Sequence, residues 1–350
     1  MFRNGRRRAP LAVLTATVLT AGLVAIGIAA SPALASGGTA PVKGTVGLNG
    51  VACTSATNCY AVGDLQQPGT IRGAIVDVTS GRPGTPELVS GANELNAISC
   101  TSATNCYAVG FNAAADGVFV HIAGASQSAV AVPAVNSFTG VSCVSPSLCY
   151  AVGTVHNRPG TLVVTIAGGR VARQASAPSL GTPFGIACVS ASSCVAVGTG
   201  VGNVGRFRGA VLTVASGRPG RITSTATNYF QGIACASSTT CYAGASSGGD
   251  GVVVTLTRGV PGAVHKVANS SQLGAVACAS AKSCLSVGAF YSSSGAAAGA
   301  LVKLTSGIPG KASLSGPASF KAVSCSSSGA CVAVGTNNDL TQGYLATMTI

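Results

Sequence analysis

Fourteen cysteines are the residues of this 350-residue chain with the most evident chemistry. They form seven pairs, and every pair has the spacing C-x5-C. The pairs are Cys53 and Cys59, Cys100 and Cys106, Cys143 and Cys149, Cys188 and Cys194, Cys235 and Cys241, Cys278 and Cys284, and Cys325 and Cys331. Paired cysteines either bind a metal or form disulfides. Because only three histidines are available to complete metal sites, we predict seven disulfides within the repeats, no metal site and no cofactor.

The first 35 residues have the features of an export signal. Four arginines lie among the first eight residues, residues 11–30 are apolar, and Ala33 and Ala35 fit an A-x-A cleavage site. We therefore expect a signal peptide over residues 1–35 and a secreted protein, in a compartment where disulfides persist. The alternative is an uncleaved anchor, because twenty apolar residues can just span a bilayer.

The cysteine pairs must be positioned by a repeated unit of about 45 residues, which is the length of one propeller blade. Four strand signals recur in each unit; in the first they are GVAC (50–53), CYAVG (59–63), GAIVDVT (73–79) and PELVS (86–90). No segment predicts a helix. Turns such as SGRPG (80–84) suggest Pro-Gly at the centre of a type II turn. We predict an all-β, seven-bladed propeller of four-stranded blades, with repeats starting near 50, 97, 140, 185, 232, 275 and 322.

The two ends of the repeat region indicate a closed ring. After Cys325 the chain supplies a second and a third strand but no fourth, while residues 38–53 resemble residues 84–100, which carry a fourth strand and its loop. Residues 38–48 are therefore expected to complete the last blade, within one domain over 36–350. Closure removes the exposed sheet edge that would otherwise favour aggregation.

The run C-x-S-x-x-x-C-[YV]-A-V-G, repeated behind a signal segment, resembles the secreted cysteine-repeat propellers of actinobacteria and, more distantly, sialidase-like (BNR-type) propellers. The resemblance covers residues 38–350 and implies the propeller fold. It implies no activity, because propellers carry many functions. Sialidase Asp-boxes (S-x-D-x-G-x-x-W) are absent, and the fifth repeat departs from the pattern, with CYAGASSGG (241–249) in place of CYAVG.

A variable position lies four residues before the first cysteine of each pair, where the chain enters the innermost strand. We call these seven positions the mouth ring; they are Asn49, Asn96, Thr139, Phe184, Gln231, Gly274 and Lys321. Each is followed by glycine or alanine, as close packing near the axis would require. Varied, mostly polar residues on a constant scaffold suit a ligand site, and we select Asn49, Asn96, Thr139, Gln231 and Lys321 as candidates. Unconstrained loop positions would show the same variation.

Charges divide between the two faces of the predicted ring. Five of the seven acids belong to loops on the mouth face: Asp64, Glu94, Asp116, Asp250 and Asp339. The opposite face, which carries the cysteine hairpins, has no acid in its hairpins or turns and bears a basic rim of Arg82, Arg170, Arg218, Arg258 and Lys282. The rim is suited to an anionic polymer. Alternatively, these charges only keep a glycine-rich protein soluble.

Two functions follow. The first is a non-catalytic binding or scaffold propeller, either secreted freely or associated with the cell wall, whose partner is an extracellular polysaccharide, an anionic cell-wall polymer or another secreted protein. The second is an extracellular glycan lyase or glycoside hydrolase with its site at the channel mouth. We expect a monomer that does not bind nucleic acid, since the basic residues lack interleaved aromatics. Asp-Gly at 116–117 and 250–251 is typical of turns, with calcium as the alternative. GVGNVG (200–205) and GASSG (244–248) lack the helix that dinucleotide or nucleophile motifs require.

Overall fold

The computed structural model describes residues 38–200, 208–225, 227, 229–316 and 318–350. The predicted signal peptide lies outside these residues, as does GVGNVG beyond Gly200. The described residues form seven antiparallel sheets and no helix, and hence no helix that could cross a membrane. The seven-bladed, all-β propeller is therefore confirmed.

The strands run in chain order through the ring, and each blade is numbered by its inner strand. Strand β1 (Thr39–Val42) precedes blade 1, which contains β2 (Thr45–Cys53), β3 (Asn58–Gln67), β4 (Thr70–Thr79) and an outer strand in two pieces, β5 (Arg82–Pro83) and β6 (Glu87–Leu88). Blade 2 contains β7 (Glu94–Ser102), β8 (Asn105–Phe111), β9 (Gly117–Ala123) and β10 (Ser126–Val132). Blade 3 contains β11 (Val135–Ser145), β12 (Leu148–Val155), β13 (Thr161–Ala167) and β14 (Arg170–Ala177). Blade 4 contains β15 (Leu180–Ser190), β16 (Ser193–Gly200), β17 (Arg208–Ala215) and β18 (Arg218–Ser224).

Blade 5 contains β19 (Tyr229–Cys235), β20 (Thr240–Ser247), β21 (Asp250–Thr257) and β22 (Val260–Lys266). Blade 6 contains β23 (Gln272–Cys278), β24 (Ser283–Tyr291), β25 (Ala297–Thr305) and an outer strand in two pieces, β26 (Ile308–Pro309) and β27 (Ser313–Ser315). Blade 7 contains β28 (Ala318–Cys325), β29 (Ala330–Asn337), β30 (Gly343–Thr349) and β1. The inner strands thus begin a few residues earlier than the predicted repeat starts.

The core lies between the blades. The second and third strands of each blade are buried on both sides, which explains why runs such as LVVTIA (162–167) are continuously apolar instead of alternating. Buried side chains form seven clusters, each between two neighbouring blades. One of them joins blade 7 to blade 1 through Val42, Leu48 and Leu345, so the ring is closed by apolar packing as well as by strand pairing.

The N-terminal strand closes the ring as predicted. Strand β1 pairs antiparallel with β30, from Thr39 opposite Ala346 to Val42 opposite Gly343, and forms the outer strand of blade 7. The closing segment is shorter than the predicted 38–48, because Thr45 already begins the inner strand of blade 1. The Thr45 hydroxyl donates to the Val42 carbonyl at 2.7 Å and accepts from the Gly343 amide at 3.2 Å, which fixes the corner between the two blades.

The turns between third and fourth strands differ from the prediction. Their central residues are Ser80 and Gly81 rather than Pro83 and Gly84, and both have positive φ, at 51° and 76°. Positive φ at both positions defines a type I′ turn, whose twist matches that of a two-residue hairpin. The type II interpretation was wrong because Arg82 and Pro83 belong to the fourth strand, where Arg82 pairs with Thr79.

All fourteen cysteines are paired as predicted, one disulfide in each blade. The two cysteines of a pair lie directly opposite each other where strand one turns into strand two, with Cα atoms 3.8–4.0 Å apart. Complete pairing suits an oxidising, extracellular compartment. No cluster of potential metal ligands occurs among the described residues.

Candidate ligand site at the channel mouth

Each member of the mouth ring is a β-bulge. In all seven inner strands the pairing with strand two skips the mouth-ring residue: Asn49, Asn96, Thr139, Phe184, Gln231, Gly274 and Lys321. A bulge leaves its extra residue without a cross-strand partner and changes the direction of its side chain. The fold therefore supplies one residue per blade whose side chain is free of the sheet pattern.

The glycine of the CYAVG motif explains the bulge. Gly63 lies opposite Leu48, the residue before the bulge, and a Cβ atom added to Gly63 would lie 2.0 Å from the Gly47 carbonyl oxygen. The equivalent Gly110 would place a Cβ 1.9 Å from the Glu94 carbonyl oxygen. Strand one can approach strand two this closely only where the partner has no side chain.

The bulged residues line a small cavity on the ring axis. Its volume is about 160 Å³, and six of the seven mouth-ring residues contribute to its wall. The seventh, Gly274, adjoins the side-chain oxygen of Gln231. The small residues after the bulges permit the close approach of the inner strands, since a Cβ added to Gly50 would lie 2.9 Å from Ala97 Cα. The cavity is smaller than the roughly 300 Å³ typical of pockets for drug-sized ligands.

Four polar side chains from three blades meet at the mouth. The Asn49 amide group donates to Asp64 Oδ1 at 3.0 Å, to the Leu95 carbonyl at 3.2 Å and, at 3.5 Å, to Glu94 Oε1. Lys321 Nζ donates to Asn49 Oδ1 at 2.8 Å. We call Asn49, Asp64, Glu94 and Lys321 the mouth cluster. It joins blades 7, 1 and 2 across the closure of the ring.

The pKa values of the two carboxyl groups in the mouth cluster are both raised. Burial raises the pKa of Asp64, against the opposing effects of Lys321 and the Asn49 hydrogen bond. Burial also raises the pKa of Glu94, the nearby Asp64 raises it further, and Lys321 lowers it. Burial dominates because a carboxylate loses hydration there that one lysine and one amide do not replace.

Amides continue around the ring. Asn96 donates to the Phe138 carbonyl at 2.8 Å and to Ser137 Oγ at 3.2 Å, and Thr139 donates to the Val152 carbonyl at 3.3 Å. Gln231 donates to Gln272 Oε1 at 3.2 Å, and Gln272 donates to the Tyr291 hydroxyl at 3.0 Å. Gln272 and Tyr291 were missed from the sequence because they lie outside the repeated position.

An aromatic pair completes this face, and the contact between its two rings was missed from the sequence. Phe184 is 36% exposed, although it is a large apolar side chain at the cavity wall. Its ring centroid lies 6.5 Å from that of Tyr229, and the two planes are tilted by 44°. The only sequence signal was the single aromatic residue within an otherwise polar or small mouth ring.

The remaining predicted acids do not join the mouth cluster. Asp116 lies 3.6 Å from His156 Nε2, and Asp250 accepts from Lys266 Nζ at 2.8 Å. Asp339 is exposed in the loop before β30. In the predicted Asp-Gly turn, the Asn112 side chain accepts from the Ala114 and Asp116 amides, as in a capped turn.

The basic rim lies on the opposite face and is exposed: Arg82, Arg170, Arg218, Arg258 and Lys282. None of these five forms an ion pair with a described carboxylate. Three of the arginines begin fourth strands rather than occupying turns, and only Arg258 lies within a turn, at φ 49°. Asp77 lies near this face in blade 1, where it contributes to a raised pKa of Tyr60 after burial.

Comparison with known proteins identifies the fold and no family. No protein-family model matches the chain, and no curated protein matches its sequence. Among solved structures, it is similar to the WD40 repeats of RRP9, with 13% identity over 91% of this chain and 99% of that one, at a TM-score of 0.64. It is also similar to Kuenenia stuttgartiensis hydrazine synthase (12% identity, 87% and 96% coverage, TM-score 0.62) and to the WD40 propeller domain of Doa1 (12% identity, 87% and 94% coverage, TM-score 0.61). At such identities the similarity establishes the propeller fold alone.

Proposed function

We propose that the chain is an extracellular, non-catalytic binding propeller whose channel mouth takes one sugar unit or chain end of an extracellular polysaccharide. The proposal is based on one observation: the bulges place amide side chains beside an exposed aromatic ring at the mouth of one small cavity. Sugar rings present hydroxyl groups on their rims and C–H groups on their faces. Amides match the hydroxyl groups, because they both donate and accept, and an aromatic face matches the C–H groups.

The size of the cavity and the prior ordering of its side chains both suit a sugar ligand. A cavity of about 160 Å³ suits a single ring rather than a long oligosaccharide. The mouth cluster is already hydrogen-bonded, so its side chains are ordered before a ligand arrives, which reduces the entropic cost of binding. Complete disulfide pairing supports an extracellular location.

Glycoside cleavage at the same mouth is a second candidate, favoured by Asp64 and Glu94. Both carboxyl groups contact the Asn49 amide nitrogen, Asp64 at 3.0 Å and Glu94 at 3.5 Å. The Asp64 oxygen and the Glu94 oxygen are therefore no farther apart than these two distances added together. Glycosidases use two carboxyl groups about 5–5.5 Å apart for retention and roughly 6.5–9.5 Å apart for inversion. Raised pKa values at both groups would suit a general acid.

Glycan-array binding by the purified protein tests the proposal. We expect Phe184→Ala and Asn49→Ala to reduce binding to the glycans that wild type retains. Ile308→Ala serves as the control, because it removes an exposed apolar side chain from the opposite face. Unchanged binding by the mouth variants, or an equal loss in the control, would contradict the assignment.

Release of reducing ends from the bound glycans separates the two functions. A binding propeller leaves them intact, and Asp64→Asn with Glu94→Gln then changes affinity alone. Sustained release that disappears in the double variant would replace the binding function with glycoside cleavage.

A further inference from the structure

A groove lies on the hairpin face between blades 4 and 5, and it is separate from the mouth site on the opposite face. Its volume is about 360 Å³, within the usual range for small-molecule sites. Its walls come from the blade 4 hairpin and strands, including Val195 and Thr213, and from blade 5, including Ser238, Arg258 and Gly259. We call it the seam groove.

At four of the other six seams the residue after the second cysteine is a tyrosine, and its side chain lies in the corresponding space; blades 6 and 7 have Leu285 and Val332 at this position. Tyr60 follows the second cysteine of blade 1 and donates from its hydroxyl to the Ala103 carbonyl in the blade 2 hairpin, at 2.7 Å. Tyr150 of blade 3 donates in the same way to the Ala191 carbonyl of blade 4, at 3.0 Å. The phenol ring thus bridges one blade to the hairpin of the next.

The turn of the next blade also contacts these phenols. Burial raises the pKa of Tyr107, and the backbone of Gly169, which lies beside the phenol at the seam of blades 2 and 3, lowers it. At the seam of blades 5 and 6, a Cβ added to Gly307 would lie 2.5 Å from Tyr242 Cε1. Two features therefore recur among the filled seams: a hairpin carbonyl accepts from Tyr60 and from Tyr150, and a turn glycine lies against Tyr107, Tyr150 and Tyr242.

Blade 4 lacks the tyrosine, as blades 6 and 7 do, and the next blade, blade 5, keeps both the hairpin carbonyl and the turn glycine. Val195 stands where Tyr60, Tyr107, Tyr150 and Tyr242 stand in their blades. Ser238 has the hairpin position of Ala103 and Ala191, and Gly259 has the turn position of Gly169 and Gly307. Both line the seam groove, so a site built for a phenol is present without the phenol.

A second departure from the repeat occurs at the same groove. Arg258 occupies a turn position with positive φ that is serine at 80, 216 and 306. Residues other than glycine, asparagine or aspartate are uncommon in this conformation. The substitution places a guanidinium group at the edge of the groove, where it can lie against the face of an aromatic ring.

We propose that the seam groove binds a small phenol. The phenol hydroxyl donates to the Ser238 carbonyl and accepts from the Gly259 amide, and the phenol ring lies between Val195 and Arg258. The ligand is a free phenol rather than a partner's tyrosine side chain. In the filled seams the hydroxyl lies at the exposed hairpin and the Cβ end lies inside, whereas a tyrosine entering from solvent would insert its hydroxyl first.

The test uses 4-methylphenol, which is the tyrosine side chain cut at Cβ, in ligand-observed NMR with the intact protein. We expect saturable binding by wild type, weaker binding of toluene, and at least a tenfold loss with Val195→Tyr, which restores the residue of the repeat. Arg258→Ser should weaken binding several-fold. Tyr242→Phe is the matched control, because it changes a phenol at a filled seam and should leave binding unchanged.

Two readouts keep the result independent of folding defects. Thermal melting shows whether Val195→Tyr is folded, and methyl shifts of Val195 and Val214 in wild type report the groove without any substitution. Absence of saturable binding, equal binding by wild type and folded Val195→Tyr, or shifts confined to other regions would each overturn the proposal.

Discussion

Truncation of Val42 tests whether a four-residue strand holds the ring closed. Val42 is 1% exposed and packs with Leu48 and Leu345 between blades 7 and 1, and its strand completes blade 7 by pairing with β30. Val42→Ala removes two buried methyl groups from this seam without changing any backbone hydrogen bond.

The expected loss follows from that burial. Two methyl groups at about 0.8 kcal/mol each give roughly 1.6 kcal/mol of transfer free energy. The cavity left at a closed seam adds to this, so we expect the free energy of unfolding to fall by about 2–3 kcal/mol. Val264→Ala is the matched control: Val264 also lies on an outer strand, β22, but is 47% exposed. Its loss should stay within about 0.5 kcal/mol.

Urea unfolding with the disulfides intact, followed by far-ultraviolet circular dichroism, measures both losses. The comparison cancels the change in strand propensity, since both substitutions are valine to alanine in an outer strand. Equal losses for the two variants, or no loss for Val42→Ala, would refute closure through β1.

Three further predictions concern the disulfides, the mouth cluster and the basic rim. Non-reducing peptide maps should show only links between cysteines six residues apart, and replacing both Cys53 and Cys59 with serine should lower stability by about 2 kcal/mol; an abundant link between repeats would contradict the hairpin pairing. Because burial raises the pKa of Asp64, the stability of the wild type should fall as the pH rises from the pKa of the unfolded state toward that of the folded state. Asp64→Asn should therefore be more stable than wild type at pH 7, but not in acid, where Asp64 is protonated. Lower stability of the variant at pH 7 would show that the attraction of Lys321 dominates instead. Purified wall polymer should co-sediment with wild type at low salt and be released near 1 M salt, where the Debye length is about 3 Å. A variant in which four rim arginines are changed to alanine should bind less; the four are Arg82, Arg170, Arg218 and Arg258. Equal binding by this variant would leave solubility as the role of the rim.

The sequence repeats made the fold predictable, whereas the site depended on the register in which the inner strands pair with the second strands. The cysteine spacing and the strand signals recur in every blade, so disulfides, blade number and closure followed from the sequence. The bulges did not, because a skipped residue such as Asn49 is visible only once Leu48 and Gly50 are known to pair with adjacent residues of β3. The turn was misassigned for the same reason, since Ser-Gly and Pro-Gly are both turn sequences and the pairing of Thr79 with Arg82 decides between them.

The chemistry of the mouth required three-dimensional contacts. Asn49 and Lys321 are 272 residues apart, and Asn49 and Glu94 are 45 apart, so no local pattern links them. Their membership of one predicted face was visible, but their mutual hydrogen bonds and the raised pKa values were not. Phe184 was visible as a ring member, but its contact with Tyr229 gave it a role only in the structure.

The placement of the covalent bonds has a mechanical consequence. Every disulfide joins two strands of the same blade, so none bears load between blades. The ring is closed between blades 7 and 1 by non-covalent contacts alone: the pairing of β1 with β30, apolar packing and side-chain hydrogen bonds such as that from Lys321 to Asn49. Tension applied between the two termini would therefore peel β1 from β30 first, one residue pair at a time. The hairpin tips would resist far longer, because each is covalently crosslinked. The ring would therefore open at the β1–β30 pairing at a low force. The seven blades, each with its own disulfide, would then extend one after another.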